Sequence, residues 1–205
     1  MRLHGVLALG LLAGMPAMAS TVYPVQAGSS LQFQGTQQGE KFMGAIKQFD
    51  ARINFDPGQL ANSSFEVNMQ LKSMDTRNAE RDMAMQTSEW FDVSHYPIAT
   101  FKTTSFRQTP QGVAADADLT IKGRSKHIVF PFVWQKTPAG ATLDAKVPLD
   151  RLDFGLGAGE WSDESMVGHR VDVIVHLVLG PAVATPDPVA PKSNVHQTKP
   201  PSQKK

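Results

Sequence analysis

Phe49-Asp50-Ala51-Arg52-Ile53-Asn54-Phe55 alternates apolar and polar residues along its length, and Asp56-Pro57-Gly58 then halts it with turn chemistry. The same alternation returns in Phe65-Glu66-Val67-Asn68-Met69-Gln70-Leu71-Lys72 and in Ala141-Thr142-Leu143-Asp144-Ala145-Lys146-Val147. A period of two sustained this far describes an antiparallel strand with one dry face and one wet face. Further strands are expected around residues 31–35, 98–106, 113–121, 127–134 and 171–179. Lys122-Gly123-Arg124-Ser125-Lys126 reads as a hairpin loop between two of them. One segment has a helical look: residues 76–85 lack β-branched side chains after Thr76, and Asp75 and Thr76 offer capping groups. About eight short strands and one short helix predict an all-β sandwich or closed antiparallel barrel. The presumed inward positions include Ala51, Ala115, Ala117, Ala141 and Ala145. Small residues there either mark close packing or leave a cavity, and period and size leave both open.

The two ends differ from this body. Arg2, the apolar run from Leu3 to Gly14 and the small-x-small element Ala17-Met18-Ala19 read as a secretory signal peptide cleaved after Ala19. That run is shorter than the roughly 20 residues of a transmembrane helix. From Pro181 onward, Pro181, Pro186, Pro188, Pro191, Pro200 and Pro201 stand among small and polar residues, which reads as a disordered tail over 181–205. Residues 20–180 are left as one domain. The whole chain carries +1, but Arg2 and four tail lysines supply five positives and Asp187 one negative, so the body stands at −3. A nucleic-acid partner would call for a basic body, so none is expected. There is no cysteine, which removes disulfides, thiol catalysis and thiolate metal sites.

Catalytic signatures are missing. His95, His127, His169 and His176 lack metal-ligand spacing, and no nucleophile-elbow motif occurs. Gly155-Leu156-Gly157-Ala158-Gly159 lacks the Lys and Ser/Thr of a phosphate loop and reads as a flexible loop. The paired acids Glu80 with Asp82 and Asp163 with Glu164 read as solvated loop carboxylates. No catalytic residue and no metal are expected, and the chain is read as not an enzyme. Aromatic and methionine residues are plentiful and supply soft apolar surface. Met83 and Met85 lie two apart on the helix, so they cannot share a face.

One set of motifs carries a resemblance. Thr76-Arg77-Asn78-Ala79-Glu80-Arg81-Asp82 is followed by Ser88-Glu89-Trp90-Phe91-Asp92-Val93-Ser94-His95-Tyr96-Pro97-Ile98-Ala99-Thr100-Phe101. These resemble the N-x-x-R-D element, the acidic-aromatic element and the Y-P-x-A-x-F strand entry of the YceI-like family of exported lipid-binding proteins. Residues 44–56 resemble the family's upstream strand. Asp118-Leu119-Thr120-Ile121-Lys122-Gly123-Arg124-Ser125-Lys126 resembles its D-L-T-x-x-G-x-x-K hairpin, and Gly168 with the strand over 171–179 resembles its closing strand. The resemblance runs from about Thr21 to Gly180. It implies an extended, lipocalin-like antiparallel β-barrel with an elongated apolar cavity, polyisoprenoid or prenylated-quinone ligands, and the bacterial periplasm. The sequence departs from the family's x-H-L-R continuation: Met83-Ala84-Met85-Gln86 puts Ala84 and Gln86 where His and Arg would stand. That departure favours a neutral or weakly polar head group.

The expectation is therefore a periplasmic carrier of a long apolar ligand, with a bound isoprenoid or quinone and no other cofactor. Strand parity nominates Phe33, Phe49, Phe101, Leu119, Phe132, Trp134 and Leu143 as cavity wall. Met83, Met85, Trp90 and Phe91 are nominated for the mouth. The rival reading is a non-enzymatic interaction protein, acting through its surface or its lysine-bearing tail on the membrane or on a membrane partner such as a quinone-using cytochrome.

Overall fold

The structure is a computed structural model that describes residues 20–110 and 112–185. The expected leader over 1–19 lies outside the described residues. Within the expected tail, Val183–Thr185 forms a short strand, and everything from residue 186 on lies outside.

The compact body, Thr21–Val183, is built on β1 (Ser30–Gln37), β2 (Glu40–Ile46), β3 (Phe49–Asn54), β4 (Ser64–Gln70) and β5 (Met74–Asp75). The helix α1 (Ala79–Gln86) follows, then β6 (Ile98–Thr109), β7 (Gly112–Ile121), β8 (Arg124–Thr137), β9 (Gly140–Asp150) and β10 (Arg170–Leu179). They form one ten-stranded antiparallel sheet in the order β3-β4-β6-β7-β8-β9-β10-β1-β2-β5.

Both ends of that order are halves of the same two strands. β2 and β3 are separated by Lys47 and Gln48, and β4 and β5 by the single 3₁₀ turn Leu71–Ser73. The interruption stays paired: Lys47 N–H donates to Ser73 O at 3.2 Å, and Gln70 N–H to Gln48 O at 2.9 Å. The bent strand β2–β3 therefore pairs with the bent strand β4–β5 throughout, and the sheet closes on itself as a barrel of eight continuous strands. A short N-terminal segment fills the remaining seam: Tyr23 bridges Ile53, and Val25 bridges Leu179.

Closure leaves one inward face per strand, as the alternation predicts. On β3 and β4, Phe49, Ala51 and Ile53 stand opposite Met69, Val67 and Phe65. On β6, Phe101 and Phe106 are five positions apart and strict alternation would put them on opposite faces. A register shift between Thr103 and Ser105 inserts the extra residue that turns both rings inward.

α1 sits one turn later than its expected cap. Asn78 is the N-cap, its side chain accepting from Arg81 N–H at 3.0 Å. Asp82 reaches back to accept from the Thr76 N–H and hydroxyl at 2.8 and 2.7 Å. Glu80 and Asp82 place negative charge in the first turn, where the helix dipole favours it.

Candidate functional site

The lumen is not uniform. At one end, aromatic rings from several strands pack edge to face. Phe65 stands 4.9 Å from Phe106 and 5.3 Å from Phe132 between ring centroids, and Phe55 stands 4.8 Å from Trp134. Tyr23 closes on Trp134 at 5.0 Å. Ala115 lies opposite both Phe106 and Phe130, and Ala145 opposite Phe132. Ala115, Ala117 and Ala141 are completely or almost completely buried and do not line the cavity at the other end of the lumen. The close-packing alternative holds for these alanines, and Ala115 and Ala145 make room for rings on the neighbouring strands. Ala51 does line the cavity.

The other end is hollow. A cavity of about 370 Å³ is walled by apolar side chains from β1 to β4 and β6 to β10. Its width depends on two glycines. Gly35 pairs with Phe42 and Gly44 with Phe33. Each ring lies flat over its glycine: a Cβ on Gly44 would sit 2.3 Å from the Phe33 ring, and one on Gly35 2.7 Å from that of Phe42. The two rings meet at right angles, 6.4 Å apart, so they line the wall instead of filling the lumen.

Polar lining groups gather beside α1. Asn78, Glu80 and Ala84 line the cavity and are exposed, which marks its mouth. Arg81 ties the helix to the turn between β1 and β2: its Nε donates to Gln37 Oε1 at 3.0 Å, and its guanidinium lies 4.0 Å over Phe42. Ala84 lines the mouth, whereas Gln86 bonds back to Asp82 O at 3.3 Å and does not. The expectation of a mouth without a cation overlooked Arg81, three residues before Ala84.

A second cation lines the cavity but is fully committed. Arg151, 4% exposed, donates from Nε to Gly168 O at 3.0 Å and from Nη1 to Leu156 O and Gly157 O at 2.6 and 2.8 Å. Its Nη2 donates to Val167 O at 2.8 Å and to Trp161 O. All five N–H groups of the fork are used on the loop over residues 155–168. Burial lowers its pKa and Asp150 opposes that, but an arginine with this many acceptors stays charged. Arg151 is thus a staple for the loop and has no donor left for a ligand. The loop docks on the segment after α1: Gly157 N–H donates to Glu89 O at 2.9 Å, Trp161 Nε1 to Glu89 Oε2 at 3.0 Å, and Arg151 lies 5.3 Å over Trp90. Lys122, at φ +50°, sends its ammonium to Ser88 O at 2.7 Å.

Of the nominated residues, the structure brings Phe33, Phe49, Met85, Trp90, Phe91, Phe101, Leu119 and Leu143 to the cavity. Three stand elsewhere. Met83 is 65% exposed on the outer face of α1, as its offset of two from buried Met85 requires. Phe132 and Trp134 point inward but belong to the packed end. Trp134 Nε1 is buried there without a hydrogen-bond partner, a cost that packing absorbs. Phe130, on the same parity as Phe132, lines the cavity and was not nominated. Nor were Phe42, Arg81 and Arg151, whose positions depend on the bent strand and on loops.

Comparison with known proteins agrees with this architecture. The family model of the YceI-like domain matches residues 23–179. A UPF0312 protein of Vibrio cholerae is 34% identical over 150 residues, covering 67% of this chain and 78% of its own. Protein YceI of Escherichia coli is 27% identical over 142 residues, covering 65% and 71%. Among solved structures, Burkholderia cenocepacia BcnA is 30% identical with a TM-score of 0.71, covering 75% of this chain and 98% of its own. A polyisoprenoid binding domain from Saccharophagus degradans shares the fold at a TM-score of 0.61 and 14% identity, covering 80% and 99%.

Proposed function

The chain belongs to the YceI-like family, and on that premise we propose that it is an exported, periplasmic binding protein for one long-chain apolar amphiphile, an isoprenoid or prenylated quinone. The apolar chain occupies the hollow end, and the head group rests at the mouth against Gln37, Asn78, Glu80 and Arg81. The observation that carries this reading is a cavity of about 370 Å³ with apolar walls and with Gln37, Asn78, Glu80 and Arg81 among its lining beside α1. The polyisoprenoid-binding neighbour supports the ligand class. Each buried CH₂ contributes about 0.8 kcal/mol, so a chain binds with few polar contacts, limited by the entropy of ordering it. The protein acts by holding its ligand, with no further cofactor, and meets the membrane transiently to exchange it.

Native mass spectrometry of the protein purified from a periplasmic extract, followed by organic extraction, tests this. A discrete lipid of one mass is expected. An apo mass, with no uptake of added prenol or quinone, overturns the proposal.

A further inference from the structure

The wall of the hollow end is incomplete between β8 and β9. Their ladder runs from Gly140 against Thr137 to Ala145 against Phe132 and stops there. Beyond it, residues 127–131 stay paired with β7 and residues 146–150 with β10, but the two stretches do not pair with each other. Each stretch carries a proline, Pro131 and Pro148, which has no N–H to give a ladder and belongs on strand edges. The shortfall at the far end of β10 is made good by the N-terminal segment, Val25 standing against Leu179. Among the described residues, no strand fills the one between β8 and β9.

Both sides of this seam are apolar. Behind it, Ile128 and Phe130 on one strand and Val147 and Leu149 on the other line the cavity. In front, Val129 is 47% exposed and Val133 49%, with Pro131 between them and Pro148 exposed across the seam. Side-chain packing without a ladder thus separates the lumen from an outer apolar strip about 14 Å long. At the rim the seam is clasped. Lys126 Nζ meets Asp153 Oδ1 at 3.2 Å, and Lys122 Nζ donates to Gly155 O at 3.3 Å. The ion pair is half exposed and contributes little. When it parts, the seam becomes a slot that runs out to the rim.

We propose that the β8–β9 seam is a lateral port, through which the apolar chain of a lipid passes sideways between a bilayer and the lumen. This rests on the isoprenoid-binding reading above and deepens it by assigning the surface that meets the membrane. A chain threaded lengthwise through the mouth exposes each of its methylenes to water in turn, at the full cost of apolar hydration. Through the seam it leaves one apolar surface for another, while the head group keeps to the rim.

The chain has no cysteine, so an introduced pair is unambiguous. Val129→Cys with Pro148→Cys, which the register sets across the seam, is joined by a short reducible bis-thiol linker on the outer face. Gln135→Cys with Thr142→Cys, joined in the same way, bridges the intact ladder as the control. Uptake and release of geranylgeraniol, exchanged between phosphatidylcholine vesicles and the full-length protein, are followed by tryptophan fluorescence. Bridging the seam slows both directions at least about tenfold at unchanged affinity. Reduction restores them, and the control bridge alters neither. Asp153→Ala, which opens the clasp, speeds both directions about two- to fivefold. A bridged seam that exchanges at the unaltered rate overturns the port. So does a bridge that weakens affinity without slowing both directions. So, whether or not the linker closes, does exchange at the unaltered rate in Asp153→Ala. If the unaltered protein takes up no geranylgeraniol, it is the isoprenoid-binding reading itself that fails, and the port falls with it.

Discussion

At one end of this barrel, aromatic rings stand across the lumen and pack on one another; at the other, two rings lie flat over glycines and leave the lumen open. Both ends use the same residue type on the same inward face. What differs is the partner across the strand pair. Opposite Phe106 and Phe130 stands an alanine, which leaves space that the rings themselves fill. Opposite Phe33 and Phe42 stand glycines that receive the rings against the wall. At Phe33 and Phe42 it is thus the missing Cβ opposite that lets an aromatic ring lie as lining.

The contrast is most directly broken at Phe55, 2% exposed and surrounded by rings. Phe55→Ala is expected to cost about 3–5 kcal/mol in urea denaturation. Phe49→Ala, half-buried beside the cavity, costs less than half of that, and its effect falls on ligand affinity. Equal losses at the two positions would show that the hollow end is packed as firmly as the stoppered one.

Arg151→Met comes next. It leaves five loop carbonyls without their donor, and a loss of about 2–4 kcal/mol is expected. Faster amide exchange should be confined to the loop over 155–168 and its contact with residues 88–90. Exchange that quickens in β6 to β8 instead would mean that the staple supports the packed end too.

Gly44→Ala sharpens the comparison from the other side. The added methyl displaces the Phe33 ring into the lumen, for about 1–3 kcal/mol of stability. Prenol affinity should fall at least about tenfold. Unchanged affinity would show that the ring need not lie flat.

The smallest effect is that of pH. Hydrogen bonds from His95 and Ser94 hold the Asp92 carboxyl below its ordinary pKa, and the Ser165 hydroxyl and N–H do the same for Asp163. Their contribution is complete above the ordinary aspartate value, about 3.9, and is lost as pH falls through the lower folded values. Both sit in loops of the hollow end, whereas Asp116, held low in the same range by Arg107 and Ser105, lies on β7 among the paired strands beneath the ring cluster, whose ladder and packing hold the backbone without it. Hydrogen exchange at successively lower pH below about 4 should therefore quicken in residues 88–96 and 155–168 before the strands beneath the ring cluster. Simultaneous loosening would remove the distinction.

Most of the barrel was legible because alternation reports which face a side chain takes. All eight expected strands are present, within a few residues at their ends. β2 was hidden from the alternation because Met43 points out, 43% exposed, while Gly44 points in: the inward position is filled by a ring from the neighbouring strand. The resemblance reached back to Gly44 but not to Glu40, where the strand begins. Alternation does not report height along the barrel axis. Phe132 and Trp134 were assigned to the right face and the wrong end, because the tilt and closure that set their level come from pairings far apart in sequence. Arg151 was illegible for another reason: its five acceptors are backbone carbonyls, which any residue supplies.

The way the ring of strands is shut bears on how the molecule is made. β10 is the last barrel strand in sequence, and it pairs with β1, the first, Asp172 standing against Gln34. Until residues 170–179 have been synthesised, β1 and β9 are both bare edges, open to pairing with other chains. Contacts of such high order form slowly, so a nascent chain remains unclosed at least until β10 has been made. Once β10 is made, it must find its closing partner before a neighbour's edge does.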